Sequence, residues 1–68
     1  MKIESFEELA TCMRNARKEQ GLTQAQLALA CGVGVRFIID LEKAKPTAQI
    51  GKVFYIVKML GLSMHIEP

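Results

Sequence analysis

The sequence is poor in the residues that most often build metal, redox and catalytic sites. Its 68 residues include only two cysteines and one histidine. Cys12 and Cys31 lie too far apart for a Cys-x-x-Cys motif, so two buried, reduced thiols are expected, with a single disulfide as the alternative. His65 has no nearby carboxylate except Glu67 and the chain terminus. We therefore predict no enzyme activity, no metal and no cofactor.

Long apolar runs and prolines are also scarce. No apolar stretch reaches the roughly 18 residues that would span a bilayer, because Arg36 and Lys58 interrupt the longest ones. Half of the residues are hydrophobic, 24% are charged and only two are proline, which favours a folded chain over a disordered one. The acidic start around Glu4 and Glu7 is unlike a signal peptide. One small, cytoplasmic domain without a membrane partner is expected.

Basic residues are unevenly distributed along the chain. The formal net charge is only +2, but residues 9 to 66 hold eight lysines and arginines against three acidic residues. Such an excess is a modest indication of phosphate-bearing partners, and an ordinary solvated surface is the alternative.

Start and stop signals predict four helices, over about residues 6–20, 24–31, 34–43 and 48–60. Ser5 with Glu8, and Thr23 with Gln26, have the spacing of capping boxes. Pro46 breaks the chain before the last helix, which Thr47 can cap. The apolar residues predicted to face the core are Phe6, Leu9, Ala10, Met13, Ala16, Leu27, Ala28, Cys31, Val33, Phe37, Ile38, Leu41, Ile50, Val53, Phe54, Val57 and Leu60.

The tail has a different pattern from the helices. From Leu62 to Glu67, apolar and polar residues alternate as they do in a β-strand. A short strand over residues 62–66 is predicted, and nothing else in the chain can pair with it.

The two middle helices have the pattern of a helix-turn-helix. Ala28 is small enough for a close helix crossing, and Gly32 can adopt the backbone angles of the tight turn. Val33, Ile38 and Leu41 would anchor the second helix in the core. An ordinary helical hairpin is the alternative.

The motifs of this region resemble one family of helix-turn-helix domains. Residues 21–28 read GLTQAQLA, Cys31-Gly-Val follows, and residues 37–47 read Phe-Ile-x-x-Leu-Glu-x-x-Lys-Pro-Thr. This combination resembles the Cro and phage-repressor (XRE-type) family. Within it, the chain is most similar to HipB-type antitoxins, the DNA-binding partners of HipA-type kinase toxins, down to the closing Leu-Gly-Leu-Ser-Met of residues 60–64. The resemblance covers about residues 8–66 and implies an all-α, four-helix repressor-like domain that binds double-stranded DNA.

The resemblance also implies which residues read the bases. The helix beginning at Gly34 would be the recognition helix, with Val35, Arg36 and Asp40 facing base edges in the major groove. Arg36 is the strongest candidate, because its guanidinium can bond guanine O6 and N7 together. Ile39 would lie on the outer side, against a thymine methyl or a protein partner, or simply as a stray exposed residue.

Other positions are implied to hold the DNA backbone. Gln24 matches a family glutamine that braces the recognition helix and bonds a phosphate, and Lys43, Lys45, Gln49 and Lys52 would surround the same surface. Each lysine alone could be an ordinary solvated charge.

One matched pair and two departures complete the comparison with the family. Arg17 and Glu42 match a structural salt bridge between the first and third helices. Gly34 stands where family members usually carry a capping Ser or Thr, and Val35 removes a polar reader. Readout is therefore expected to depend on Arg36, Asp40 and DNA shape.

A single recognition helix contacts few bases, so a homodimer on a palindromic operator is expected. The resemblance implies that the tail strand, with Leu62, Met64 and Ile66, pairs with the same strand of a second copy. A HipA-type toxin kinase is the implied protein partner, with the chain repressing its own operon. The alternatives are a stand-alone phage-like repressor, a protein-interaction module that has lost DNA binding, and a frayed tail.

Overall fold

The computed structural model describes residues 3–64, which contain four α-helices and, within that range, no β-strand. The helices are α1 (Phe6–Glu19), α2 (Gln24–Cys31), α3 (Val35–Glu42) and α4 (Ile50–Met59), each within two residues of its predicted bounds. Across these residues no single helix is long and apolar enough to cross a membrane; α2 and α3 reach that length and composition only as a bent pair. The predicted all-α, four-helix architecture is confirmed.

The N-termini of the helices differ in how they are capped. Thr23 and Gln26 form a complete capping box, with bonds of 3.0 and 2.8 Å. Ser5 Oγ accepts the N–H of Glu8 at 3.2 Å, but the Glu8 carboxylate accepts the N–H of Glu4 instead of that of Ser5. The predicted cap of α4 at Thr47 is wrong. The Thr47 hydroxyl accepts the N–H of Gln49 at 3.0 Å within the loop, so the helix begins later.

All four helices end in the same hydrogen-bonded turn, the Schellman motif. In each, a residue with positive φ and its successor bond back to carbonyls three and five residues earlier; the residues with positive φ are Gly21, Gly32, Ala44 and Gly61. Glycine takes this conformation without a steric penalty, whereas alanine does not. The end of α3 is therefore strained, with a φ of 59° at Ala44.

The core lies between the four helices. Its largest fully buried side chains are Met13, Ile38, Ile56 and Val53. The predicted inward faces of α1 and α2 are confirmed, except that Phe6 is only partly buried. Among residues 3–64, the core cluster consists of Leu9, Met13, Ala16, Leu27, Ala28, Cys31, Ile38, Leu41, Val53, Ile56, Val57 and Leu60.

The predicted inward face of α4 is correct for Val53, Val57 and Leu60 but wrong for Ile50 and Phe54. Ile50 and Phe54 are about half exposed, and Ile56, which was not predicted, is completely buried. The helix reads IGKVFYIVKM, so apolar residues nearly surround it and two overlapping stripes fit the helical period. The packing of α4 selects the stripe of Val53, Ile56 and Val57.

The pair α2–α3 has the geometry of a helix-turn-helix. The two helices are bent by 117° at a turn that contains Gly32, within the range of about 90–120° for this motif. Ala28 is buried where α2 meets α3, and Ile38 and Leu41 hold α3 in the core, as predicted. Val33 and Phe37 are only partly buried beside them. The outer side of α3 is thereby left free.

The beginning of the tail packs against its own chain. Leu62 and Met64 are partly buried against the core, and residues 62–64 are not in a strand. The predicted strand continues to Ile66, which lies outside the described residues. Pairing of this strand with a second copy therefore stays a prediction.

Replacing Ala44 with glycine should stabilise the fold by about 0.5–1 kcal/mol. Relief of the left-handed strain, about 1–2 kcal/mol, should exceed the added entropy of the unfolded chain, about 0.4–1 kcal/mol. Urea unfolding followed by circular dichroism measures the change. Ala48→Gly is the control, because Ala48 lies in the following loop and has no positive φ. A variant at Ala44 no more stable than the control would show that this position is not strained.

Candidate nucleic-acid interface

A buried ion pair fixes α3 to the rest of the domain. The Arg17 guanidinium donates to both carboxylate oxygens of Glu42, from Nε at 2.7 Å and from Nη2 at 3.0 Å. Only 9% and 6% of the two side-chain surfaces are exposed. Hydrogen bonding to Glu42 raises the pKa of Arg17, against the lowering effect of burial, so the guanidinium stays charged. The pair predicted from the sequence is therefore present as a fully engaged, bidentate contact.

Two further bonds extend this network to the start of α2. Arg17 also donates from Nη1 to the carbonyl oxygen of Leu22 at 2.7 Å. Gln24 donates its side-chain amide to Glu42 Oε1 at 3.2 Å. The end of α1, the turn before α2 and the end of α3 are thus held by one carboxylate and one guanidinium. Gln24 occupies the bracing position implied by the family resemblance, and its contact with phosphate stays a prediction.

The N-terminal half of α3 presents the predicted base-reading residues to solvent. Gly34 and Val35 are exposed, and 70% of the Arg36 side chain is exposed. Ile39, expected on the outer side, is instead half-buried. A Cβ added at Gly34 would meet no atom within 4 Å, so packing does not require glycine there. Arg36 is the one long hydrogen-bond donor on this half of the helix.

Asp40 lies between two cations. Its Oδ1 is 3.3 Å from Arg36 Nε, one helical turn earlier, and 3.5 Å from Lys45 Nζ in the loop after α3. Oδ1 is buried and makes no hydrogen bond of good geometry with any described residue. Both contacts are therefore ionic and loosely directed. Asp40 was predicted to face base edges, and in the unbound chain it faces these two side chains.

The remaining predicted contact residues lie beside α3. Lys52 of α4 places its Nζ 5.6 Å from the centre of the Phe37 ring, a cation–π distance. Asp40, Lys45 and Gln49 line one cavity of about 200 Å³ between α3 and the loop that follows it. Lys43 is exposed at the end of α3. Arg36, Asp40, Lys45 and Gln49 thus come together, with Lys52 against the neighbouring Phe37, whereas Gln24 belongs to the bracing network.

Sequence reasoning missed two of these contacts. Arg36 and Asp40 are four positions apart on a helix, a spacing that itself predicts an ion pair. The contact between Phe37 and Lys52 has no comparable signal, because it depends on how α4 packs against α3. Lys52 was predicted to hold DNA, and the structure adds a role in linking these two helices.

Neither cysteine is among the predicted DNA-contacting residues. Both are free thiols, with Cys31 buried in the core and Cys12 half-buried on α1. Burial raises the pKa of Cys31, so its thiol is protonated and poorly nucleophilic at neutral pH. Packing explains Cys31 without any chemical role.

Comparison with known proteins identifies the family. The family model described as Helix-turn-helix matches residues 13–66. The chain belongs to the helix-turn-helix family. A related protein of Sinorhizobium fredii (strain NBRC 101917 / NGR234), an uncharacterized HTH-type transcriptional regulator named y4mF, is 49% identical over 65 residues; the match covers 96% of this chain and 86% of the relative.

Solved structures similar to this helix-turn-helix domain include several of HipB. In the structure of a HipA-HipB-O2-O3 complex, the matching chain is 31% identical with a TM-score of 0.86, and the match covers 100% of this chain and 96% of that one. A chain of a HipB-O4 20mer complex matches with the same identity, coverage and TM-score. The expected resemblance to the XRE-type domains and to HipB is confirmed.

Removing the carboxylate of Glu42 should strongly destabilise this helix-turn-helix domain. Glu42→Ala leaves the Arg17 cation buried without its partner, at a cost of about 3–5 kcal/mol. That loss is comparable with the whole stability of a small domain, about 5 kcal/mol or somewhat more. The measurement is thermal and urea unfolding, with Glu19→Ala at an exposed acidic residue as the control.

Replacing both partners, with Arg17→Met and Glu42→Leu, should recover much of the loss, since no charge is then left unpaired. If Glu42→Ala costs no more than the Glu19 control, the network does not hold α3.

Proposed function

We propose that the protein is a sequence-specific double-stranded DNA-binding transcriptional repressor. The observation that carries this proposal is the exposed guanidinium of Arg36 on a recognition helix that is braced from behind by Arg17 and Glu42. A rigid helix that presents one exposed guanidinium suits the major groove, where guanine presents two acceptors side by side. The y4mF relative, named as a transcriptional regulator, supports the same reading.

Basic residues next to α3 supply the contacts that hold the DNA backbone. Lys43 and Lys45 follow the recognition helix, and Lys52 lies against Phe37 on its flank. Their ammonium groups attract phosphates without discriminating among sequences, so they set orientation and overall affinity. Gln49 lines the same cavity as Lys45 and can add a neutral hydrogen bond.

Sequence is read mainly by Arg36. Val35 offers only an apolar contact, such as that with a thymine methyl, and Gly34 contributes only its backbone. So few direct readers give weak discrimination on one half-site. A two-fold dimer doubles the contacts and requires a palindromic operator.

The outer face of α4 is the surface we assign to the homodimer, together with the tail. Ile50, Phe54, Tyr55 and Met59 are each between 44% and 50% exposed, and they lie outside the buried stripe of α4, with Ile50 and Phe54 along one edge of it and Tyr55 and Met59 along the other. Four large apolar side chains half-exposed on one ten-residue helix favour a protein contact over open solvent. Leu62 and Met64 follow directly and are only partly covered by their own chain.

The protein partner we propose is a HipA-type kinase toxin, with this chain as the antitoxin that represses the shared operon. The support is a solved HipA-HipB-O2-O3 complex whose matching chain covers this one completely. A toxin reading frame beside the gene would favour this assignment over a stand-alone repressor.

Arg36→Ala and Lys45→Ala should affect DNA binding in different ways. Loss of Arg36 should relax discrimination at one or two base pairs, by about 1–3 kcal/mol per pair. Loss of Lys45 should weaken all sequences alike and lower the salt slope by about one. Gel shift and fluorescence anisotropy, with duplexes from the region upstream of the gene and an unrelated duplex, measure both effects at several salt concentrations.

Lys18→Ala, an exposed lysine on α1 without an assigned DNA role, serves as the control for loss of charge. Identical behaviour of the Arg36 and Lys45 variants would show that the assignment of readers and positioners is wrong. No salt-sensitive retardation of any duplex by the unaltered protein would favour a pure interaction module instead.

Tyr55→Glu should weaken the dimer at least tenfold, because a carboxylate placed on the outer face of α4 would be desolvated in the interface. Leu29→Glu is the matched control, because Leu29 is also apolar and is 85% exposed on a different helix, α2. Sedimentation at micromolar concentration measures both variants and a chain shortened to end at Gly61. A shortened chain that remains a dimer contradicts the role of the tail, and a dimeric Tyr55 variant contradicts the role of α4.

A further inference from the structure

The end of α3 departs from the rule that the other three helices follow. After Gly21, Gly32 and Gly61, the next residue is apolar, which is the usual hydrophobic contact of this turn. After α3 both positions change, to Ala44 with positive φ and to Lys45. Backbone strain is therefore retained at the end of α3, which adjoins the candidate DNA surface.

In this turn, Asp40 and Lys45 occupy the two positions that make the hydrophobic contact in other Schellman motifs. Its backbone carbonyl accepts the N–H of Lys45 at 3.0 Å, and its carboxylate oxygen lies 3.5 Å from the ammonium of the same residue. The same oxygen lies 3.3 Å from Arg36 Nε. One acidic residue thus holds the main predicted base reader and a predicted phosphate contact at the same time.

Neither stability nor general DNA affinity explains an acid at this place. A carboxylate near the C-terminus of a helix opposes the helix dipole, and facing DNA it repels the phosphates. Its two ion pairs are at least partly exposed on the cationic side, at 70% for Arg36 and 55% for Lys45, so they contribute little to folding. Because Oδ1 makes no well-formed hydrogen bond among the described residues, the pairs can be exchanged readily.

We propose that Asp40 is a specificity-determining residue that restrains Arg36 and Lys45. Because of this restraint, unrelated DNA is bound weakly, whereas a guanine of the operator is bound by Arg36 without loss of affinity. On unrelated DNA, phosphates must compete with the carboxylate for both cations. On the operator, guanine O6 and N7 engage the outer nitrogens of Arg36 while Nε stays beside Asp40, which keeps the guanidinium aimed at the base. This inference rests on the proposed function, which assigns α3 to the major groove.

The test compares Asp40→Asn with Glu19→Gln. Each variant removes one negative charge and keeps the side-chain size, but Glu19 is an exposed residue at the end of α1. Affinities for an upstream duplex and for an unrelated duplex of equal length are measured at several salt concentrations. We expect Asp40→Asn to bind the unrelated duplex about tenfold more tightly, with a steeper salt slope, and to lose about fivefold or more of its preference for the operator. Glu19→Gln should change either affinity less than about twofold, because its exposed charge lies on α1, which has no assigned DNA contact, and is screened by salt.

A double variant distinguishes restraint of the two cations by Asp40 from direct contact of Asp40 with a base. Combining Asp40→Asn with Lys45→Ala should remove much of the gain in affinity for unrelated DNA, because one of the two released cations is then absent.

Equal operator preference in the Asp40 and Glu19 variants overturns the inference, as does loss of operator binding by Asp40→Asn with no gain in affinity for the unrelated duplex. If the unaltered protein shows no salt-sensitive binding at all, the proposed function fails and the inference fails with it. Thermal unfolding of each variant confirms that the fold is retained.

Discussion

The buried pair of Arg17 and Glu42 is the interaction on which the arrangement of this domain depends. Glu42 is the last residue of α3, and its carboxylate receives donors from α1 and from the first residue of α2. Two charges in so small a core are tolerated because every strong donor and acceptor in the group is bonded, including the Leu22 carbonyl. The pair contributes directionality that apolar packing lacks, since a bidentate guanidinium contact has one preferred geometry.

That geometry has a consequence for the opposite side of α3. With Ile38 and Leu41 buried and Glu42 fixed, the helix cannot rotate about its axis without exposing apolar surface or breaking the ion pair. Arg36 and Asp40 are therefore held on the outer side of the helix by side chains that face the core on its other side. The strained turn at Ala44 then brings Lys45 back to the same side, where the carboxylate of Asp40 lies within 3.5 Å. A stable core and a polar surface are thus linked through a helix only eight residues long.

Much of the fold could be predicted from local signals. Capping boxes, helix-ending glycines and apolar stripes located all four helices, because each of these features acts within a few residues of chain. Prediction was wrong at α4, where Ile50 and Phe54 were expected to face inward and Ile56 was overlooked. A helix that is apolar on nearly every side carries no periodic signal strong enough to choose its buried face. The predicted cap at Thr47 was also wrong, because the Thr47 hydroxyl accepts the N–H of Gln49 within the loop and the helix begins after Gln49.

By itself, the sequence determined the helix order, the helix-turn-helix spacing and the family, since these depend on residue types at short, fixed separations. Through its resemblance to that family, it also predicted which residues belong to the candidate surface. Only the tertiary structure decided how those residues are used in the unbound chain: Gln24 bonds Glu42, Lys52 lies over Phe37, and Lys45 of the loop lies 3.5 Å from Asp40. The physical reason is that such contacts join side chains from different elements, and their distances are set by packing, which no local pattern of residues encodes.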